Sequence, residues 1–247
     1  MLKPRVIPVL LLKDEGLVKS KQFSSYKYIG DPINAVKIFN LKEVDELIFL
    51  DIEATCKNHE PDYCLIKDIA TEAFMPFSYG GGIRNIEQIR KLLRIGVEKV
   101  IINNSLFNEK FVKQAVETFG SSTIIASIDV KYINSKPYVY NHLKNVIYED
   151  VNLFEFIKHI TNLGVGELMI NSVDRDGTFV GYDLELFSQI SDQVKIPVVG
   201  CGGAKDITDI KLLFSRTSCS AAAGGSMFVY YGKHNAVLIT YPDLNDF

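Results

Sequence analysis

Asp129 closes an apolar run, Ile124-Ile125-Ala126-Ser127-Ile128. A carboxyl placed there is partly desolvated, which disfavours its charged form and suits it to proton transfer near neutral pH. Asp51 ends another apolar run and is a candidate for a supporting role. So is Asp14, which lies with Lys13 and Lys19 in or near the loop after the first such run, where a mobile lid could close over phosphate. Asp174 and Asp176 flank Arg175, so a salt bridge accounts for one of them as readily as chemistry does. For each carboxylate other than Asp129 a structural role outweighs a catalytic one.

Small residues gather where an anion could sit. Gly80-Gly81-Gly82, Asn103-Asn104-Ser105, Asp176-Gly177-Thr178, Gly202-Gly203 and Gly224-Gly225-Ser226 each follow an apolar run. Glycine lets backbone N–H groups approach phosphate, and a helix N-terminus adds a favourable potential. The alternative is that these glycines only make turns. Two such clusters across one mouth would suit an elongated ligand with a phosphate at each end.

The elements that must hold these residues are legible as alternating patterns. Strands are expected at 5–11, 46–51, 75–79, 99–103, 123–129, 167–172, 196–201 and 218–224, rich in Ile, Val and Leu and mostly without alternation. That is the signature of parallel strands covered on both faces. Amphipathic helices fill the gaps. The segment 85–96 begins at Asn85 and stops at Gly96, and 108–120 begins at Asn108 and stops at Gly120. Segments 153–162, 183–193 and 206–215 follow suit. Eight strands alternating with helices predict a (β/α)8 TIM barrel, and 247 residues is the size of one such domain.

Composition narrows the function. Hydrophobic residues make up 47% and charged residues 23%, with a net charge of −3, so a disordered, nucleic-acid-binding or membrane-surface protein is not expected. No apolar run is long enough to span a bilayer, and no signal peptide is expected. Cys56, Cys64, Cys201 and Cys219 form no CxxC pair and read as reduced thiols of a cytoplasmic protein. The four histidines lie far apart, so neither a metal site nor a cofactor is expected.

The chain also repeats itself. Aligning Gly81 with Gly202, an offset of 121 residues, brings Ile86 onto Ile207, Ile89 onto Ile210, Leu92 onto Leu213, Ser105 onto Ser226 and Phe107 onto Phe228. Near the N-terminus, Leu10-Leu11-Leu12-Lys13 falls on Ile128-Asp129-Val130-Lys131. One domain, 1–247, built from fused half-barrels of about 1–120 and 121–228 with an atypical tail at 229–247, accounts for this; chance similarity between βα units is the alternative. The repeat partner of Asp129 is Leu11, which cannot carry a proton.

The stretches Asp45-Glu46-Leu47-Ile48-Phe49-Leu50-Asp51-Ile52, Gly80-Gly81-Gly82-Ile83-Arg84, Ser127-Ile128-Asp129 and Asn171-Ser172-Val173-Asp174-Arg175-Asp176-Gly177-Thr178 resemble the cyclase subunit of imidazole glycerol phosphate synthase, over residues 1 to about 228. The resemblance implies a cytoplasmic barrel that takes ammonia from a glutaminase subunit docked at its N-terminal face and passes it to an active site at the opposite mouth. It implies a bis-phosphorylated aminoimidazole-carboxamide ribulosyl nucleotide as substrate. It also implies that Lys19, Gly82, Asn103, Asn104, Asp176, Gly177, Gly203, Gly225 and Ser226 hold phosphate, with Asn104 where the family usually has Thr. It implies, finally, that Arg5, Glu46, Lys99 and Glu167 form a charged gate at the barrel bottom, which could equally be a structural ion-pair ring.

This chain departs from the family pattern in ways that bear on chemistry. The first of two catalytic aspartates is Leu11; Asp129 matches the second. The final amphipathic helix is replaced by Val229-YYGKHNAVLITYPDLNDF. These departures resemble a divergent branch found with surface-polysaccharide genes. That branch is thought to supply ammonia to a separate sugar-amidating enzyme, so a phosphorylated or nucleotide-sugar ligand is expected. A histidine-pathway cyclase using Asp129 alone or a repositioned Asp14, and a non-catalytic subunit that stabilises its partner, are the alternatives.

Overall fold

A computed structural model describes residues 4–242. β1 (Arg5–Lys13) turns back into β2 (Gly16–Lys21) and β3 (Ser24–Gly30) before α1 (Pro32–Leu41). β4 (Leu47–Asp51), α2 (Tyr63–Glu72), β5 (Phe77–Gly80), α3 (Ile86–Ile95), β6 (Lys99–Ile102) and α4 (Glu109–Phe119) follow. β7 (Ile124–Ile133) continues into a second excursion, β8 (Lys136–Asn141) and β9 (Val146–Ile147). Then come α5 (Leu153–Asn162), β10 (Glu167–Ser172), α6 (Leu184–Ser191), β11 (Val198–Cys201), α7 (Ile207–Arg216) and β12 (Ala221–Gly224).

The parallel strands run in the order β1-β4-β5-β6-β7-β10-β11-β12, and β12 pairs with β1. The sheet is therefore closed, and the fold is a (β/α)8 TIM barrel. Helix ends obey the local chemistry of their caps. Asn85 and Gln88 form a reciprocal capping box at the start of α3, and Gly96 ends it at φ 119°. The apolar faces of the helices pack on the outside of the strands, around Leu10, Phe49, Leu92, Val100, Ile160 and Leu213. A second cluster fills the inside of the barrel: Ile7, Val9, Ile48, Ile101, Ile125, Met169, Val199, Cys201, Ala221 and Ala223.

Two features correct the sequence expectations. The segment expected as a lid loop after the first strand is an antiparallel β2–β3 extension of the sheet, and β7 carries the β8–β9 hairpin in the same way. Strands expected from 75, 196 and 218 begin at Phe77, Val198 and Ala221, where the parallel ladders start. The tail, expected at 229–247, is described only to 242; residues 243–247 lie outside the described residues. Its described part is a short hairpin, β13 (Tyr230–Tyr231) and β14 (Ala236–Val237), followed by a strap. The strap runs back along the barrel, and Tyr241 stacks on Phe228, with ring centroids 5.8 Å apart. The Tyr241 hydroxyl reaches the start of β1, donating to the Val6 carbonyl at 2.8 Å.

Candidate functional site

At the end of the barrel where the strands begin, Arg5, Glu46, Lys99 and Glu167 form a closed ring of alternating charge. Arg5 pairs with Glu46 at 2.7 Å and also with Glu167. Lys99 pairs with Glu167 at 2.9 Å and with Glu46 at 3.7 Å. Ser78 donates to Glu46 at 3.0 Å from inside the barrel. Both glutamate side chains are only 6% exposed, so each needs the opposite charges on its two sides. Above the ring lies the apolar interior, which disfavours an ion far more than a small neutral molecule.

At the other end a cavity of about 180 Å³ opens among the loops that follow the strands. Asp129, buried, sits at its floor. Asn103 Nδ2 donates to Asp129 Oδ2 at 3.0 Å and Asn171 Nδ2 donates to Oδ1 at 3.1 Å. Burial pushes the Asp129 pKa up to about 6; the Asn171 and Asn103 hydrogen bonds pull against that rise, and the Asp176 charge adds to it. Val9, Leu11, Leu50 and Ile101 line the same cavity.

Lys19, Gly82, Asn103, Asn104, Asp176, Gly225 and Ser226 all line this cavity. Lys19 is buried and donates to the Val9 carbonyl. Burial pulls its pKa down to about 8, against the attraction of Asp176. Asp176 accepts from Ser20 Oγ at 3.0 Å, and its carbonyl accepts from the Gln22 N–H at 2.9 Å. These bonds fasten the β2–β3 extension to the loop after β10. The two excursions also meet over the mouth: the Phe23 and His142 rings lie edge-on, 5.5 Å apart.

Other expected site residues are placed elsewhere. Gly177 and Gly203 are not among the lining residues. Their positive φ values, 66° and 95°, serve close backbone packing, against the Ser20 and Gly181 carbonyls respectively. Asp14 stands outside the cavity, exposed, paired with Lys57 at 2.9 Å and Lys13 at 3.5 Å. The Lys57 hydrogen bond holds its pKa down to about 2. Asp51 reaches the cavity wall, but its Oδ1 accepts the Glu53 and Ala54 N–H groups, each at 2.9 Å, which makes it a turn anchor. Arg175 pairs with Asp183 at 3.6 Å and with neither flanking aspartate.

Sequence reasoning did not single out Asn171, Ser127, Phe23, Tyr26 or His142, all of which line the cavity. Ser127 was findable, because it stands two residues before Asp129 and side chains two apart share a strand face. Among the described residues no group of three or more His, Cys, Asp and Glu could hold a metal. No helix among them is long and apolar enough to cross a membrane.

A family model described as "Histidine biosynthesis protein" matches residues 5–235. The chain belongs to that family. Within it, the chain is 47% identical to the "Putative imidazole glycerol phosphate synthase subunit hisF2" of Pseudomonas aeruginosa, covering 99% of this chain and 98% of that one. It is 34% identical to the "Imidazole glycerol phosphate synthase subunit HisF" of Streptococcus mutans, covering 94% and 93%. It is 44% identical to the "Putative imidazole glycerol phosphate synthase subunit HisF" of Leptospira borgpetersenii, covering 100% and 98%. The histidine-biosynthesis family thus accounts for the barrel and for its HisF-like character.

Proposed function

We propose that this HisF-like chain is the synthase subunit of a glutamine amidotransferase complex. Ammonia released by a HisH-like glutaminase enters through the Arg5–Glu46–Lys99–Glu167 ring and crosses the apolar interior as the neutral molecule. It is used on, or delivered to, a phosphorylated ligand held at the far mouth. The final acceptor in this reading is a sugar of a surface polysaccharide, amidated with a separate enzyme.

The observation that carries this reading is an asymmetry between the two ends. The inlet ring is complete, whereas the mouth holds Leu11 where a second proton carrier would stand. A conduit keeps its inlet and has no need of a matched acid–base pair. Partner docking at the inlet end has further support. Leu41, at the end of α1, and Phe74, just after α2, are 84% and 87% exposed there, and Asn40 bonds to both the Glu72 carbonyl and the Phe74 N–H. Large apolar side chains exposed together mark interaction surfaces. Excursions at the same place in the first and fifth barrel strands, β2–β3 and β8–β9, support two duplicated half-barrels.

Asp14 counts against the histidine-pathway alternative, because it cannot stand in for the missing acid from outside the cavity. Complementation tests the choice. A strain lacking the histidine cyclase should stay auxotrophic when given this chain, and growth without histidine would overturn the conduit reading. Deleting the chain should abolish glutamine-dependent amidation and leave ammonium-dependent amidation intact. Equal loss of both would overturn pure delivery of ammonia to a separate enzyme.

A further inference from the structure

We infer that Asn171 and Asn103 are positioning residues for Asp129, and that the three side chains act as one unit in which the Asp129 carboxylate takes a proton from the bound ligand and, as the acid, returns it to the ligand or to solvent. The inference rests on the reading of Asp129 as the proton carrier of the proposed site.

The geometry is specific. Asn171 lies directly across from Asp129 in the parallel β7–β10 register, and Asn103 follows β6, the strand on the other side of β7. Each amide takes one carboxyl oxygen, at 3.1 and 3.0 Å, so the carboxyl is held from both flanking strands. An amide suits a group that must change protonation state. It donates to a carboxylate through N–H and, turned over, accepts from a carboxylic acid through its carbonyl. A lysine or arginine in the same place would lock the ionised form.

Besides its carboxylates, the cavity is lined by the titratable side chains of Lys19, Tyr26, His142 and Cys201, and among those carboxylates Asp129 alone is held by side-chain amides. Asp51 is engaged by backbone N–H groups and Asp176 by Ser20. Across the cavity stands Leu11. Burial raises the Asp129 pKa to about 6 while the two amides restrain it, so the group samples both states near neutrality.

The test is a carboxyl-carbon NMR titration of the full chain labelled with ¹³C-aspartate, the Asp129 signal being assigned with Asp129→Asn. The wild type should titrate near pH 6. Asn171→Leu and Asn103→Leu each remove a donor to the charged form and should raise the midpoint by about one pH unit. Asn171→Thr, which keeps a donor, should return it toward the wild type. Midpoints that stay put in both folded leucine variants would overturn the inference, since a merely structural role lowers the melting temperature without moving the titration. If Asn171→Leu does not fold, Asn103→Leu and Asn171→Thr decide it. The titration needs no ligand. Shifted midpoints in a chain that supports growth without histidine would therefore remove the conduit reading and leave this inference standing.

Discussion

Leu11 and Asp129 stand on opposite staves of the barrel, β1 and β7, and line one cavity. The first offers only methyl groups and the second a buried carboxyl with a raised pKa. One side of the cavity wall is therefore apolar where the other carries an ionisable group.

Leu11→Asp would place a second carboxyl in that cavity. Two acids in one desolvated space cannot both ionise easily, so the cost should be about 1–3 kcal/mol and larger at pH 8 than at pH 5. Urea denaturation at the two pH values checks this. An equal cost at both would show that residue 11 is better solvated than its lining position implies.

Asp129 should make the folded protein less stable as pH rises. Its folded pKa, about 6, lies above the ordinary carboxyl value, so the native state binds the proton more tightly than the unfolded chain. This group's contribution is fully present below about pH 4 and is lost as pH climbs through 6, for a total of roughly 3 kcal/mol. Asp129→Asn should lack that slope while abolishing activity at the mouth. Stability curves from pH 4 to 8 for the two proteins provide the comparison.

Glu167→Gln should leave Arg5 and Lys99 facing one another with one charge fewer between them. Breaking a largely buried pair is costly, though partial exposure of both cations reduces the cost to about 2 kcal/mol. Thermal denaturation reads the stability term. Glutamine-dependent turnover should fall further than ammonium-dependent turnover, and an equal fall in the two would argue that the ring is only a structural clasp.

Lys19 should make anion binding at the mouth sensitive to alkali. Its folded pKa, depressed by burial to about 8, means that the positive charge is lost as pH rises through that value. Inorganic phosphate should bind more weakly at pH 9 than at pH 7.5 by about tenfold, and Lys19→Met should flatten that dependence. Isothermal titration calorimetry measures both, and an unchanged dependence in Lys19→Met would remove Lys19 from the phosphate site.

The barrel was legible because buried parallel strands write themselves as unbroken apolar runs, and because Asn85 and Gly96 mark the ends of α3 unambiguously. The excursions were harder to see. β2, β3 and β8 carry many polar residues and few Ile, Val or Leu, and the turns at Asp14-Glu15 and Asn134-Ser135 use non-glycine residues at positive φ, so they read as loop. Asp129 announced itself through its apolar neighbours. Asn171 did not, since only the register between β7 and β10 brings its amide to the carboxyl. The ring was likewise invisible to composition, because a charge at the start of a strand faces water or the barrel axis depending on packing that pattern alone does not report. Asp14, three residues after Leu11 in the chain, lies outside the cavity because it is paired with Lys57 and Lys13 at the turn, which chain proximity alone does not report.

The strap that ends at Tyr241 has a practical consequence. Because it returns to the beginning of β1, Arg5 and Tyr241 both lie at the inlet. A reporter attached beside Arg5 or Tyr241 would therefore stand at the doorway through which the glutaminase is proposed to work, away from the ligand mouth. Fluorophores attached there should register assembly of the complex while remaining blind to ligand capture.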